Sequence, residues 1–169
     1  VVDTTCGIPS PWRKLIEKSL DNANKTEILK TKDSIRINSK IIFSAIKKMQ
    51  ISTPIYRETG GCHGAAIFDF DGNLLSVKED VGRHNAIDKA IGELLLKKHS
   101  FENVFLTSTG RLTADSVLKA VRAKIPIVAS FSAAVESGIR LAFAYGITLI
   151  GFARGSRMNI YTHPERVNV

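Results

Sequence analysis

Apolar positions along the chain change rhythm twice. In the first fifty residues they recur at helical spacing. Trp12, Leu15, Ile16 and Leu20 follow Ser10-Pro11, which reads as an N-cap and first helical residue. Ile42, Ala45, Ile46 and Met49 share one face behind Ser39, the expected cap of a second helix. Residues 21–34 between them are polar and read as a loop. The rhythm then shortens. Residues 64–70 read as a strand, Asp71-Gly72 as a turn, and Leu74 to Lys78 as the returning strand. The polar run Glu79 to Asn85 opens a helix whose expected buried face is Ile87, Ala90, Ile91, Leu94 and Leu95.

From residue 104 onward short apolar runs alternate with helical ones. Strands are expected at Val104–Leu106, Ile125–Ala129, Ile147–Phe152 and Met158–Tyr161. Helices are expected at Thr113–Ala123 and Ala134–Tyr145, the second ended by Gly146 at its C′ position. Such alternation implies parallel βαβ units, to which the early hairpin adds an antiparallel element. The expectation is a single three-layer α/β/α domain with a mixed, mostly parallel sheet. Residues 1–38 hold a cysteine loop, the first helix and a polar connection, and residues 39–169 hold the core.

The chain has 169 residues and 44% hydrophobic composition, enough for a substantial core. No apolar run approaches the ~18 residues that span a bilayer, so no membrane partner is expected. Cys6 and Cys62 are too few for a disulfide framework and favour a reducing compartment. The net charge of +8 points to an anionic partner. Lysines such as Lys47, Lys48, Lys97 and Lys98 would account for much of it as solvated helix faces.

Candidate chemistry collects where strands end. Thr107 to Arg111, Ser130 to Ser132, and Ala153 to Arg157 each follow an apolar run. Ligands of open α/β sheets bind beyond the carboxyl ends of parallel strands. Any one polar loop is explained by solvation. Three that jointly supply Arg111, Arg154 and Arg157 favour a phosphate pocket, with Gly155 allowing close backbone approach. His63 and His84 lie in polar, glycine-bearing junctions and could act as acid–base groups or hold a ligand. Cys6, near Arg13 and Lys14 and ahead of a helix start, has surroundings that favour a thiolate. Taken without further context it is an incidental tail thiol. Cys62 reads as a buried small residue, and His99 and His163 as surface residues.

Two other enzyme classes are imitated in part. Phe68-Asp69-Phe70-Asp71-Gly72, with Ser108, resembles the nucleophile motif of haloacid-dehalogenase phosphatases. The late acidic pair that holds Mg²⁺ in that class is missing, so a phosphatase is a low-ranked alternative. A zinc deaminase needs His-x-Glu and Cys-x-x-Cys, and neither occurs. No metal site is expected.

Thr59-Gly60-Gly61-Cys62-His63, Glu79-Asp80-Val81-Gly82-Arg83-His84-Asn85-Ala86-Ile87-Asp88-Lys89, and Gly151 to Arg157 followed by Tyr161-Thr162 together resemble the formate dehydrogenase accessory sulfurtransferase family, FdhD/NarQ. The resemblance implies a cytidine-deaminase-like α/β/α core without zinc. It implies a cytoplasmic homodimer that takes persulfide sulfur from a cysteine desulfurase. The sulfur passes to the molybdenum bis(molybdopterin guanine dinucleotide) cofactor of formate dehydrogenase, with GDP a mimic of that cofactor and no nucleic acid involved. Cys6 matches the family's sulfur-bearing cysteine. Phe152, Ala153, Arg154, Gly155, Ser156 and Arg157 match its cofactor-binding segment, with His63, Arg83, His84 and Arg111 as further candidates. A non-catalytic cofactor-binding chaperone is the alternative role. Many members carry Cys-x-x-Cys in the loop. Here the fourth position is Pro9, which leaves one thiol to carry sulfur. The family's β-rich portion ahead of that loop is expected to be absent.

Overall fold

The computed structural model describes Lys18 and residues 35–168. The expected first helix, the polar connection and Cys6 lie outside the described residues. A two-residue strand, β1 (Ile37–Asn38), leads into α1 (Ser39–Ile51). Asn38, rather than Ser39, caps α1: its side chain accepts from the Lys40 amide at 2.9 Å. Ser39 is instead a buried helical residue, aligned with Ile42, Ala45, Ile46 and Met49. A short α2 (Pro54–Thr59), absent from the sequence expectation, starts on Pro54 and ends on left-handed Gly60.

The hairpin pairs β2 (His63–Asp69) with β3 (Leu74–Asp80). Glu79 and Asp80 therefore belong to a strand, not to the helix opening. Then follow α3 (Arg83–Leu96), β4 (Val104–Ser108), α4 (Ala114–Ala123), β5 (Ile127–Ser130) and α5 (Glu136–Ala144). The chain ends with β6 (Thr148–Arg154), β7 (Arg157–Ile160) and a turn of 3₁₀ helix before β8 (Val167–Asn168). Leu95, expected in the core, is exposed; α3 buries Ala86, Ile87, Ala90, Ile91 and Leu94. Helix α5 starts two residues later than expected because Ala134 bridges to Leu112.

The main sheet runs β3-β2-β4-β5-β6-β7. Parallel pairing is confined to β4-β5-β6, and β2 is antiparallel to both its neighbours. Since β3 therefore points the same way as β4, four of the six strands share one direction; β2 and β7 oppose them. Successive side chains alternate between the faces. Ile67, Leu106, Val128 and Leu149 pack under α3, α4 and α5, and Phe68, Phe105, Ile127 and Ile150 pack under α1. Phe68 and Phe105 stack at 5.6 Å between centroids on the α1 side. The short β1–β8 pair ties the start of α1 to the chain's last described residues. This sandwich fixes one edge, at the carboxyl ends of β4, β5 and β6, where the polar loops gather.

Candidate functional site

Hydrogen bonds make this edge a continuous rail. The Gly64 amide donates to Thr109 Oγ1 at 3.0 Å, and the Thr109 amide returns to the Gly64 carbonyl at 3.0 Å. Ser130 Oγ lies 2.9 Å from the Ser108 carbonyl and 2.7 Å from that of Gly110. The Phe131 amide donates to the Ser108 carbonyl and the Phe152 amide to that of Ser132. Buried serines thus stitch three loops without drawing on the arginines.

At the β4 end, Arg83 lies against Gly110. A Cβ on Gly110 would come within 2.8 Å of Arg83 Cβ, so this approach requires glycine. His63 Nδ1 sits 3.3 Å from Thr109 Oγ1. Burial, then the charges of Arg83 and Arg111, push the His63 pKa down. Burial and Arg83 lower that of His84 as well. Four sequence candidates, His63, Arg83, His84 and Arg111, therefore share the β4 end.

At the β6 end the two expected strands pair with each other. Arg154 ends β6 and Arg157 begins β7, so Arg154-Gly155-Ser156-Arg157 is a hairpin turn, with Gly155 at φ +57. Arg154 folds back onto β5: its Nε donates to the Phe131 carbonyl at 2.9 Å, and its guanidinium carbon lies 4.1 Å from the Phe131 ring centre. The Phe152 ring centre lies 5.7 Å from the same carbon. The pairing register slips between Gly151 and Arg154, and within that irregularity Phe152 takes φ +51 with its side chain partly exposed. A bulky residue in the left-handed region is an outlier, and such strain concentrates at ligand sites. Ala153 is buried, while Ser156 and Arg157 stand exposed on the turn.

Arg154 and Gly155 form one wall of a cavity of about 380 Å³. Phe43, Ser44, Lys47 and Gln50 of α1 form the facing wall. In the sequence Lys47 reads as a solvated lysine. The missed signal is the stripe Phe43, Lys47, Gln50, which runs at helical spacing beside the buried one. The cavity has a cation on each side and aromatic rings at Phe43 and Phe131, which suits an anionic ligand bearing a flat ring. The two groups of candidates lie two strands apart along the edge, the first beside the starts of α3 and α4 on one face of the sheet and the cavity beside α1 on the other.

The phosphatase alternative fails on topology. Because β2 is antiparallel to β4, Asp69 pairs with Val104 at the start of β4, the opposite edge from Ser108. Its Oδ1 accepts from the Asp71 and Asn73 amides at 3.0 and 2.8 Å, which makes it the clamp of the hairpin turn. Ser108 Oγ accepts from the Gly110 amide, a structural role. Cys62 is buried as expected, with Sγ 3.6 Å from Glu79 Oε1; burial, then Glu79, push its pKa up. His163, expected at the surface, is partly covered. Its Nε2 lies 3.3 Å from the Phe143 carbonyl, and its ring stacks on Phe143.

The fold and site define a mixed-sheet α/β/α domain with a basic, glycine-bearing edge at its parallel strand ends, the place where open α/β sheets bind ligands. The chain belongs to the FdhD/NarQ family, whose model matches residues 1–168. It is 41% identical over 147 residues to the sulfur carrier protein FdhD of Sulfolobus acidocaldarius, covering 86% of this chain and 57% of the relative. The protein of the same name from Bacillus subtilis is 39% identical over 133 residues, covering 79% of this chain and 50% of the relative. A crystal structure of a formate dehydrogenase accessory protein from Desulfotalea psychrophila superposes with a TM-score of 0.74 at 37% identity, over 79% of this chain and 57% of that one. The chain spans about half the length of the curated relatives it matches. Among the described residues no helix is long and apolar enough to cross a membrane.

Proposed function

We propose that the chain carries sulfane sulfur on Cys6 from a cysteine desulfurase to the molybdenum bis-guanine-dinucleotide cofactor destined for formate dehydrogenase. The cofactor is the substrate, and this role is filled in the cytoplasm by a homodimer. The observation that carries the reading is the pairing of Arg154 with Lys47 across the cavity beside the Phe131 and Phe152 rings. That arrangement fits a purine diphosphate, and GDP is its simplest probe. The relatives' common name, sulfur carrier protein, supports the transfer half.

The first step is thiol exchange. The Cys6 thiolate attacks the terminal sulfur of the desulfurase persulfide, one S–S bond forms as another breaks, and the desulfurase thiolate leaves with no net redox change. Delivery of that sulfur as a sulfido ligand takes up two electrons, drawn from the metal or from an external reductant. The protein's contribution is to hold donor and acceptor together. Intact mass spectrometry after incubation with a desulfurase and cysteine tests the role: one added sulfur is expected on the wild type and none on Cys6→Ala. Loading that persists in Cys6→Ala removes Cys6 as the carrier. A chaperone that only binds the cofactor would leave dehydrogenase maturation indifferent to Cys6→Ala.

A further inference from the structure

Three buried side-chain atoms have no hydrogen-bond partner among the described residues: Arg83 Nε, His84 Nδ1 and Asp115 Oδ2. All three lie where α3 and α4 begin. The Asp88 carboxylate grips Lys119 Nζ at 2.7 and 2.6 Å and fixes the two helices side by side. His84 is four residues before Asp88, and Asp115 is four before Lys119. Both belong to helical runs that start at the carboxyl edge of the sheet, so they face each other one turn closer to it. The charge of Asp115 acts on His84, opposing the effect of Arg83. None of the three side chains makes any hydrogen bond among the described residues.

Leaving such groups unpaired is costly, and a carboxylate most of all. Asp115 is also out of place on an edge suited to phosphate, since it repels one. A ligand that satisfies all three must offer N–H donors to Asp115 beside an acceptor for Arg83, with His84 Nδ1 donating or accepting according to its tautomer. The 2-amino-4-oxopyrimidine edge has this order: a ring N–H and an exocyclic amine next to a carbonyl. Guanine and pterin both present it. We propose that Asp115, with Arg83 and His84, is a specificity-determining subsite that reads the 2-amino-4-oxopyrimidine edge of the ligand. This rests on the guanine-dinucleotide reading of the edge and deepens it: Arg154 and Lys47 hold phosphate, and Asp115 selects the base.

The test compares binding of GDP, IDP (which lacks the exocyclic amine), ADP and free pterin to the wild type, Asp115→Asn and Arg154→Ala by calorimetry. The wild type is expected to prefer GDP over IDP and ADP by about tenfold or more, one lost hydrogen bond to a charged acceptor. Asp115→Asn is expected to lose that preference, and Arg154→Ala to weaken all three nucleotides alike while keeping it. A preference is a ratio, so partial misfolding of a variant leaves it unchanged. Pterin binding that depends on Asp115 without a GDP preference supports the subsite and makes pterin its occupant. GDP, IDP and ADP binding equally, all weakened by Arg154→Ala, overturns the subsite and leaves the phosphate site standing. If neither GDP nor pterin binds the wild type, both readings are overturned.

Discussion

At Phe152 the backbone is held at φ +51 and the ring stays 40% exposed. Burial cannot be what maintains that conformation, and a left-handed phenylalanine costs on the order of 1–3 kcal/mol. Asparagine tolerates the region better. Phe152→Asn is therefore expected to melt at or above the wild-type temperature while losing a few-fold in GDP affinity, about the size of the cation–π contact its ring makes with Arg154. A lower melting point with unchanged GDP binding would mean the ring is structural. His63 gives a second residue-level expectation. Its pKa is lowered in the folded state, so the stability it contributes is present above the unfolded value near 6.5 and is lost as pH falls. Protonation adds a positive charge beside Arg83 and Arg111. The GDP phosphate also takes up a proton in this range, so the sign is read against a variant: as pH falls from 8 towards 5, wild-type GDP affinity should gain relative to that of His63→Asn. Calorimetry across that range measures both slopes.

The elements show which signals were local. The alternation of apolar runs announced β4, α4, β5, α5 and β6 because buried parallel strands read as continuous hydrophobic stretches. In the sequence β3 ends at Lys78, because Glu79 and Asp80 look like loop residues, yet edge strands carry charge. No local residue says that the chain after Gly155 pairs back as β7; that depends on the Ile150–Ile160 register. Lys47 and Asp115 were missed for the same reason, since their meaning comes from the elements opposite them. Asp80 now has a defined task. Gly82 caps α3 without a side chain, and Asp80 Oδ1 holds the helix entry by accepting from the Gly82 amide at 2.8 Å and from Asn85 Nδ2 at 3.1 Å. Its other oxygen pairs with Lys89. The hydrogen bond with Lys89, then those from Gly82 and Asn85, lower its pKa to about 2. That contribution exists above the unfolded pKa and disappears as pH falls through about 2. Asp80→Ala should melt below the wild type at pH 7, and the two melting curves should converge near pH 2. A constant gap at both pH values would exclude a role for the Asp80 charge.

Across the whole molecule, the proposed sulfur carrier and the proposed substrate site lie on different parts of the chain. Cys6 precedes the described body, whereas the rail, the cavity and the Asp115 cluster are built wholly within residues 35–168. The rail is held by backbone groups and buried serines, and the cavity by α1 against β6. Nothing in that construction needs a thiol, so the two halves of the activity should separate cleanly. Cys6→Ala is expected to bind GDP with wild-type affinity and to accept no sulfur. Arg154→Ala is expected to accept sulfur at the wild-type rate and to bind GDP about tenfold or more weakly, the loss of a charge-assisted contact. Mixing the two variants then tests whether the halves must sit on one chain. If sulfur moves only within a chain, the mixture stays as inactive in dehydrogenase maturation as either variant. If the thiol of one copy serves the site of another, the mixture regains activity in proportion to the mixed assemblies formed. Reciprocal damage, with GDP binding lost in Cys6→Ala or loading lost in Arg154→Ala, would instead show that thiol and edge form one interdependent site.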